Sequence, residues 1–267
     1  MEFLKIVKRR SFRNEALYIG LNIVLAFAFL IVIRSTSSIL PALGLLLLSK
    51  WRVLAVRPRY WFANIQGDLV SLIISISFVI FLYNSNTANS GDFGSLVLQI
   101  ILTLAYAAWL ILLRPQSKRK YIVAQAALAL FAGISTIYSI SYGWIASVVV
   151  LLVWLVGYSV ARHVINTYDD EAHPVILSLA WGFILAEIGW IVYHWTMAYR
   201  LPIINNFLLP QFTIIAMCFG FLTYKVYKSY SQGEKIKLAD IILPLIFTVS
   251  IIAVLIFAFN SININAI

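Results

Sequence analysis

Runs of apolar residues recur along almost the whole chain, most of them close to the ~20 residues that a helix at 1.5 Å per residue needs to cross a bilayer's hydrocarbon. They fall at about 16–33, 35–48, 61–83, 95–113, 121–140, 144–161, 175–195, 207–226 and 241–259. In lipid no water is present to satisfy a bare backbone N–H or C=O, so segments of this length and composition cross as helices. A mean hydropathy of +0.93 with 11% charged residues, against about 25% charged in a soluble domain, excludes a water-soluble fold. The expected fold is all-α: a polytopic transmembrane helix bundle of about nine spans. Residues 1–15 form a basic cytoplasmic segment and 16–267 a single membrane domain. The second run is short; Trp51, Val53, Leu54 and Ala55 extend it, with Lys50 and Arg52 snorkelling to the headgroups, and a re-entrant loop is its rival.

Basic residues set the threading, because cytoplasmic loops retain Lys and Arg. With nine spans and the N-terminus inside, only Arg34 and Arg200 face out, leaving 18 of the 20 basic residues inside. A re-entrant second segment scatters the later clusters over both sides. The expectation is therefore a cytoplasmic N-terminus and an external C-terminus. The net charge of +10 then has anionic lipid headgroups as its natural partner, at about 1 kcal/mol per basic residue, rather than nucleic acid. Cys218 is the one cysteine, so no internal disulfide frames the fold. Residues after the first run lack a small-residue cleavage site, so that run is expected to stay as an anchor. An Arg-Pro entry to the third and fifth runs (Arg57-Pro58 and Arg114-Pro115) hints at duplication, although proline is a common helix starter in any fold.

Ionisable groups inside such runs cost a few kcal/mol or more and ordinarily face the protein interior with a partner or a role. Asn64, Asp68, Ser71 and Ser75 recur at i, i+4, i+7 and i+11, one helical face. Glu187 lies deep in the seventh run, with Trp190 and His194 following on its face. Beside it Gly182, Ala186 and Gly189 form a small-residue face that admits close helix packing. Gln99, Thr103 and Tyr106 share a face of the fourth run. Two readings stay open. One joins Asp68, Glu187 and His194 into a proton or cation path, since a shielded carboxylate gains proton affinity and histidine exchanges protons near neutral pH. The other takes the same groups as interhelical glue, with His194 part of an interfacial aromatic belt.

The loop 162–174 (RHVINTYDDEAHP) holds His163, Asp169, Asp170, Glu171 and His173. These are metal-competent types that a lipid-modifying enzyme uses with Mg²⁺ to hold a diphosphate. Acidic residues ahead of Pro174 equally suit the positive end of the next helix, so no metal ligand set and no cofactor is assigned. Walker, nucleophile-elbow, zincin, C-x-x-C and dinucleotide motifs do not occur, which disfavours nucleotide hydrolysis and the common membrane hydrolases. Retinal requires a lysine well inside a late run, and Lys225 lies only at an inner boundary.

The strings SKWRVLAVRPRYWFANIQ (49–66), ARHVINTYDDE (161–171) and WGFILAEIGWIVYHWTMAY (181–199) resemble an uncharacterised family of multi-span proteins from small-genome candidate-phylum bacteria. The resemblance implies a bacterial cytoplasmic membrane and carries no activity or residue role. Three functions follow as alternatives. The first is small-solute or proton/cation transport through the polar path. The second is a non-enzymatic structural or accessory subunit beside other membrane subunits. The third is a lipid-modifying enzyme using the acidic loop.

Overall fold

The structure, a computed structural model, describes residues 2–51, 61–87, 93–168, 171–194, 198–201, 204–233 and 238–257. Nine helices are described: α1 (Glu2–Thr36), α2 (Ile39–Ser49), α3 (Trp61–Thr87), α4 (Phe93–Ala108), α5 (Arg119–Ile140), α6 (Ala146–Ile165), α7 (Pro174–Tyr193), α8 (Gln211–Gly233) and α9 (Leu238–Phe257). A short antiparallel ribbon, β1 (Ala198–Leu201) with β2 (Ile204–Pro210), precedes α8. Among the described residues six helices are long and apolar enough to cross a membrane: the Leu17–Thr36 part of α1, Ile65–Asn86 of α3, the Gly94–Leu113 stretch begun by α4, and α5, α6 and α7. This is a helical, membrane-type chain.

Three elements differ from the sequence reading. First, the opening helix begins not with the apolar run near residue 16 but at Glu2, and α1 runs unbroken through to Thr36. Second, α2 has 11 residues, about 16 Å of helix against about 30 Å of hydrocarbon. It stops because Lys50 leaves the helical region as a C-cap at φ −98°, ψ 10°; Arg52, Val53, Leu54, Ala55 and the Arg57-Pro58 turn lie outside the described residues. Third, the eighth run does not start as helix at Phe207. Residues 204–210 pair as strand, with Tyr199 opposite Leu209 and Ala198 opposite Pro210. An apolar window scores strand and helix alike, and a proline disfavours helix in the residue before it.

By contacts the chain forms two compact units, Met1–Gln125 and Ala126–Ile267. The first unit packs α1, α2, α3 and α4 around Phe29, Ile33, Leu46, Val79, Leu82 and Leu110, all at 2% exposure or less. Its centre is aromatic: Phe78 and Tyr106 stack at 4.0 Å and 4°, and the Phe29 ring meets both edge-on at 6.1 Å. After α4 the helix widens to a π turn at Trp109–Leu113, closed by Arg114 N–H to Trp109 O at 2.9 Å. Gln125 Nε2 donates to Leu113 O and Gln116 O, so the freed carbonyls of the Arg114-Pro115 turn are satisfied from α5.

In the second unit α6 and α7 approach almost backbone to backbone. A Cβ on Gly182 would stand 3.0 Å from Trp154 O and 3.1 Å from Tyr158 N, and one on Gly157 would stand 3.0 Å from Gly182 Cα. The face read as small, Gly182, Ala186 and Gly189, is buried here as expected. Without a hydrophobic drive in lipid, such close approach is what dispersion needs to hold two helices together. Hydrogen bonds tie in the unit's other helices: Tyr138 OH of α5 donates to Gly189 O of α7 at 2.7 Å, Ser135 and Thr213 share one between α5 and α8 at 3.1 Å, and Gln211 Nε2 of α8 donates to Leu255 O of α9 at 3.1 Å.

Candidate functional site

Most of the polar stripe predicted on α3 acquires partners, and its principal partner is a lysine. Lys50 Nζ donates to Asp68 Oδ2 at 2.7 Å and also to Ser71 Oγ. The end of α2 thereby places an ammonium on α3, where the side chains of Lys50 and Asp68 are 9% and 23% exposed. Lys50 therefore does not snorkel to headgroups. The C-cap that ends α2 turns it inward, and among the described residues this is the single salt bridge. Lys50 stands one residue past α2, outside the spanning helices. Burial first, then the nearby Arg114 guanidinium, hold its ammonium below the usual lysine range, against the raising pull of Asp68.

From this pair a line of polar groups follows the α3–α4 seam. Ser75 Oγ donates to Ser71 O at 2.7 Å, and Tyr106 OH donates to Ser75 Oγ at 3.0 Å. One turn away on α4, Thr103 Oγ1 donates to Gln99 O at 2.7 Å, and Gln99 Nε2 donates to Asn86 Oδ1 at 3.4 Å. Ser95 Oγ donates to Ser85 O at 2.6 Å beside them. Ser75, Thr103 and Gln99 are 1%, 0% and 1% exposed. The 18 residues from Asp68 to Asn86 span about 27 Å of helix, close to the hydrocarbon thickness. Gln99 Oε1 is buried and has no hydrogen-bond partner among the described residues. A buried acceptor left empty costs free energy and calls for a function or a water to explain it.

The other proposed residues lie elsewhere. Asn64 is in α3, but its side chain is outside the described residues. Glu187 and His194 belong to the second unit, so neither unit contains the complete Asp68–Glu187–His194 path. Glu187 is exposed on α7, on a face with Phe183, Ile184, Trp190 and Ile191. His194, also exposed, lies beyond the end of α7 with its ring 5.2 Å from Trp190 and 5.8 Å from Tyr193, in the aromatic setting of the glue reading.

In the acidic loop, Asp169 and Asp170 lie outside the described residues; His163 is half-buried and His173 exposed. Among the described residues no three His, Cys, Asp or Glu side chains gather as a metal site. Glu171 instead serves as a hydrogen-bond acceptor, its carboxylate taking Tyr227 OH at 2.7 Å and His173 N–H at 3.2 Å. Tyr227 stands just past the apolar run that ends at Val226, and burial followed by this carboxylate pushes its phenol well above the usual tyrosine range. The tether ties the loop to α8. Sequence reasoning missed it, as it missed Lys50, because each links residues far apart in the chain.

No family model, curated protein or solved structure matches the chain.

Proposed function

We propose that the protein conducts protons, or a small cation coupled to them, along the α3–α4 seam of its first unit, with Asp68 and Lys50 as the coupling pair. One observation carries this reading: a lysine–carboxylate pair, Lys50 buried and Asp68 half-buried, opens a line of mostly buried polar groups about as long as a bilayer is thick. A buried ion pair is weak evidence for stability, since desolvation offsets its attraction, so its place at the head of a polar line argues for use. Protonation of Asp68 removes the anion that holds Lys50 and frees Ser71. The hydroxyls of Ser75 and Tyr106 both donate toward the Asp68 end, the orientation a carboxylate favours, and onward passage needs Ser75 to turn its O–H away from Ser71 O.

The same reading has nine crossings, the N-terminus in the cytoplasm and the C-terminus outside, in a bacterial cytoplasmic membrane. It is supported by the 18 of 20 basic residues that this weave places on one side. For α2 to cross at 11 residues, the bilayer must thin or flanking residues must complete the span.

The test uses the full chain in proteoliposomes holding a pH-sensitive dye. Wild type dissipates an imposed pH gradient faster than empty vesicles do, and Lys50→Met/Asp68→Leu returns the rate to that of empty vesicles. Glu187→Gln keeps the wild-type rate. Wild-type vesicles no leakier than empty ones, or an unchanged rate in the double variant, overturn the proposal.

Exposed Glu187 favours a second reading, an accessory subunit. A carboxylate at membrane depth costs about 2.5–3.5 kcal/mol or more if it faces lipid, so a partner helix covering this face of α7 relieves that cost. Co-purification of a membrane partner at fixed stoichiometry, lost in Glu187→Leu, supports it; an unchanged yield of partner in that variant opposes it.

A further inference from the structure

The second unit contains a cleft of about 160 Å³ between α5, α6, α7 and α8. Its walls include Leu130, Val160, Leu177 and Trp181, and Gly220 lines it where a Cβ would come within 3.0 Å of Leu130 Cδ2. Apolar voids of about this size stay dry and take up an apolar guest.

The cleft lies toward the end of α6 and along the later half of α8, the stretches that carry Arg162, Lys225 and Lys228. Arg162 follows Ala161, which lines the cleft. Its Nε and Nη1 are shielded from solvent and have no hydrogen-bond partner among the described residues. The planar donors of an arginine fit an anionic oxygen. Lys225 rests its ammonium 5.6 Å over the Phe221 ring, and no described carboxylate forms a salt bridge with any of the three cations. Tyr227, at the cleft's edge, donates its hydroxyl to Glu171.

We infer that this cleft binds an anionic phospholipid, one acyl chain lying between α5, α6, α7 and α8 and the headgroup at the end that carries Arg162, Lys225 and Lys228. The apolar lining selects a lipid over free phosphate, and three cations with no salt-bridge partner among the described residues select an anionic headgroup over a zwitterionic one. The site is separate from the α3–α4 seam and does not depend on conduction.

Native mass spectrometry of the full chain in mild detergent, supplied with phosphatidylglycerol or phosphatidylcholine, tests it. Wild type retains one phosphatidylglycerol per chain, about tenfold in preference to phosphatidylcholine, equivalent to about 1.4 kcal/mol. Arg162→Gln abolishes the preference, and Val164→Trp, which fills the cleft, releases both lipids. In vesicles, a brominated phosphatidylglycerol quenches the part of the fluorescence that Trp181→Phe removes, a measurement independent of whether the filled variant folds. The inference is overturned by equal retention of the two lipids in wild type, by unchanged retention in Val164→Trp, by a lipid-free dimer in which a second copy covers the cleft, or by no quenching of Trp181.

Discussion

The Lys50–Asp68 pair is best tested by removing each partner and then both. At 2.7 Å and an effective dielectric constant of about 20, the attraction is about 6 kcal/mol. Desolvating the two ions costs several kcal/mol each, so the pair nets close to zero. The single substitutions do not. Asp68→Leu leaves a 9%-exposed ammonium facing Arg114 and destabilises by about 3 kcal/mol, the lower end for a broken buried pair. Lys50→Met costs less, about 2 kcal/mol, because Asp68 at 23% exposure retains some water and can take up a proton. The double variant replaces two ions by apolar groups of similar size and falls within about 1 kcal/mol of wild type. The coupling between the sites is therefore about 5 kcal/mol. It is measured by reversible unfolding in mixed micelles titrated with dodecyl sulfate and followed by tryptophan fluorescence. Additive single effects, with coupling under about 0.5 kcal/mol, refute the pairing and the coupling role derived from it.

Three further outcomes follow from the same geometry. Because the fold lowers the Lys50 pKa from 10.5, the unfolded chain binds more protons between the folded value and 10.5, and stability rises with pH across that alkaline window; titrated unfolding shows this rise in wild type and a flatter profile in Lys50→Met. Gly182→Leu drives a side chain into the Trp154 and Tyr158 backbone and costs at least the 1–3 kcal/mol typical of overpacking, whereas Gly67→Ala, with nothing within 4 Å of its Cβ, gains about 0.5–1 kcal/mol in the same assay. Ser37, which follows α1, sits at φ 48° as a left-handed C-cap whose N–H reaches Ile33 O at 3.0 Å, so Ser37→Gly relieves about 1 kcal/mol of strain and raises the thermal midpoint.

What is legible in the sequence is what the helical period encodes locally. The stripe of Asp68, Ser71 and Ser75 needs only a spacing of three and four along α3, and the small face of Gly182, Ala186 and Gly189 needs only the same rule on α7. Both can be read because neighbours on one helix face are fixed by the chain itself. Period says which residues share a face, but not where that face points. The face of Gly182 turns to α6, while Glu187, read as turned inward, is exposed. Partners across elements carry no local signature either: Lys50 reads as a boundary cation until the C-cap of α2 turns it onto a carboxylate 18 residues later, and Glu171 reads as a helix-start acid until Tyr227, 56 residues on, donates to it. The β1–β2 ribbon escapes for a third reason, since Phe207, Leu208 and Leu209 are as apolar in a strand as in a helix. Hydropathy thus locates the oil-facing chain and its polar exceptions, while pairing across helices decides which exceptions become a site. In the first unit that pairing gathers Lys50, Asp68, Ser71, Ser75 and Tyr106 into one connected seam, and this connection makes conduction there a sharper hypothesis than the stripe alone.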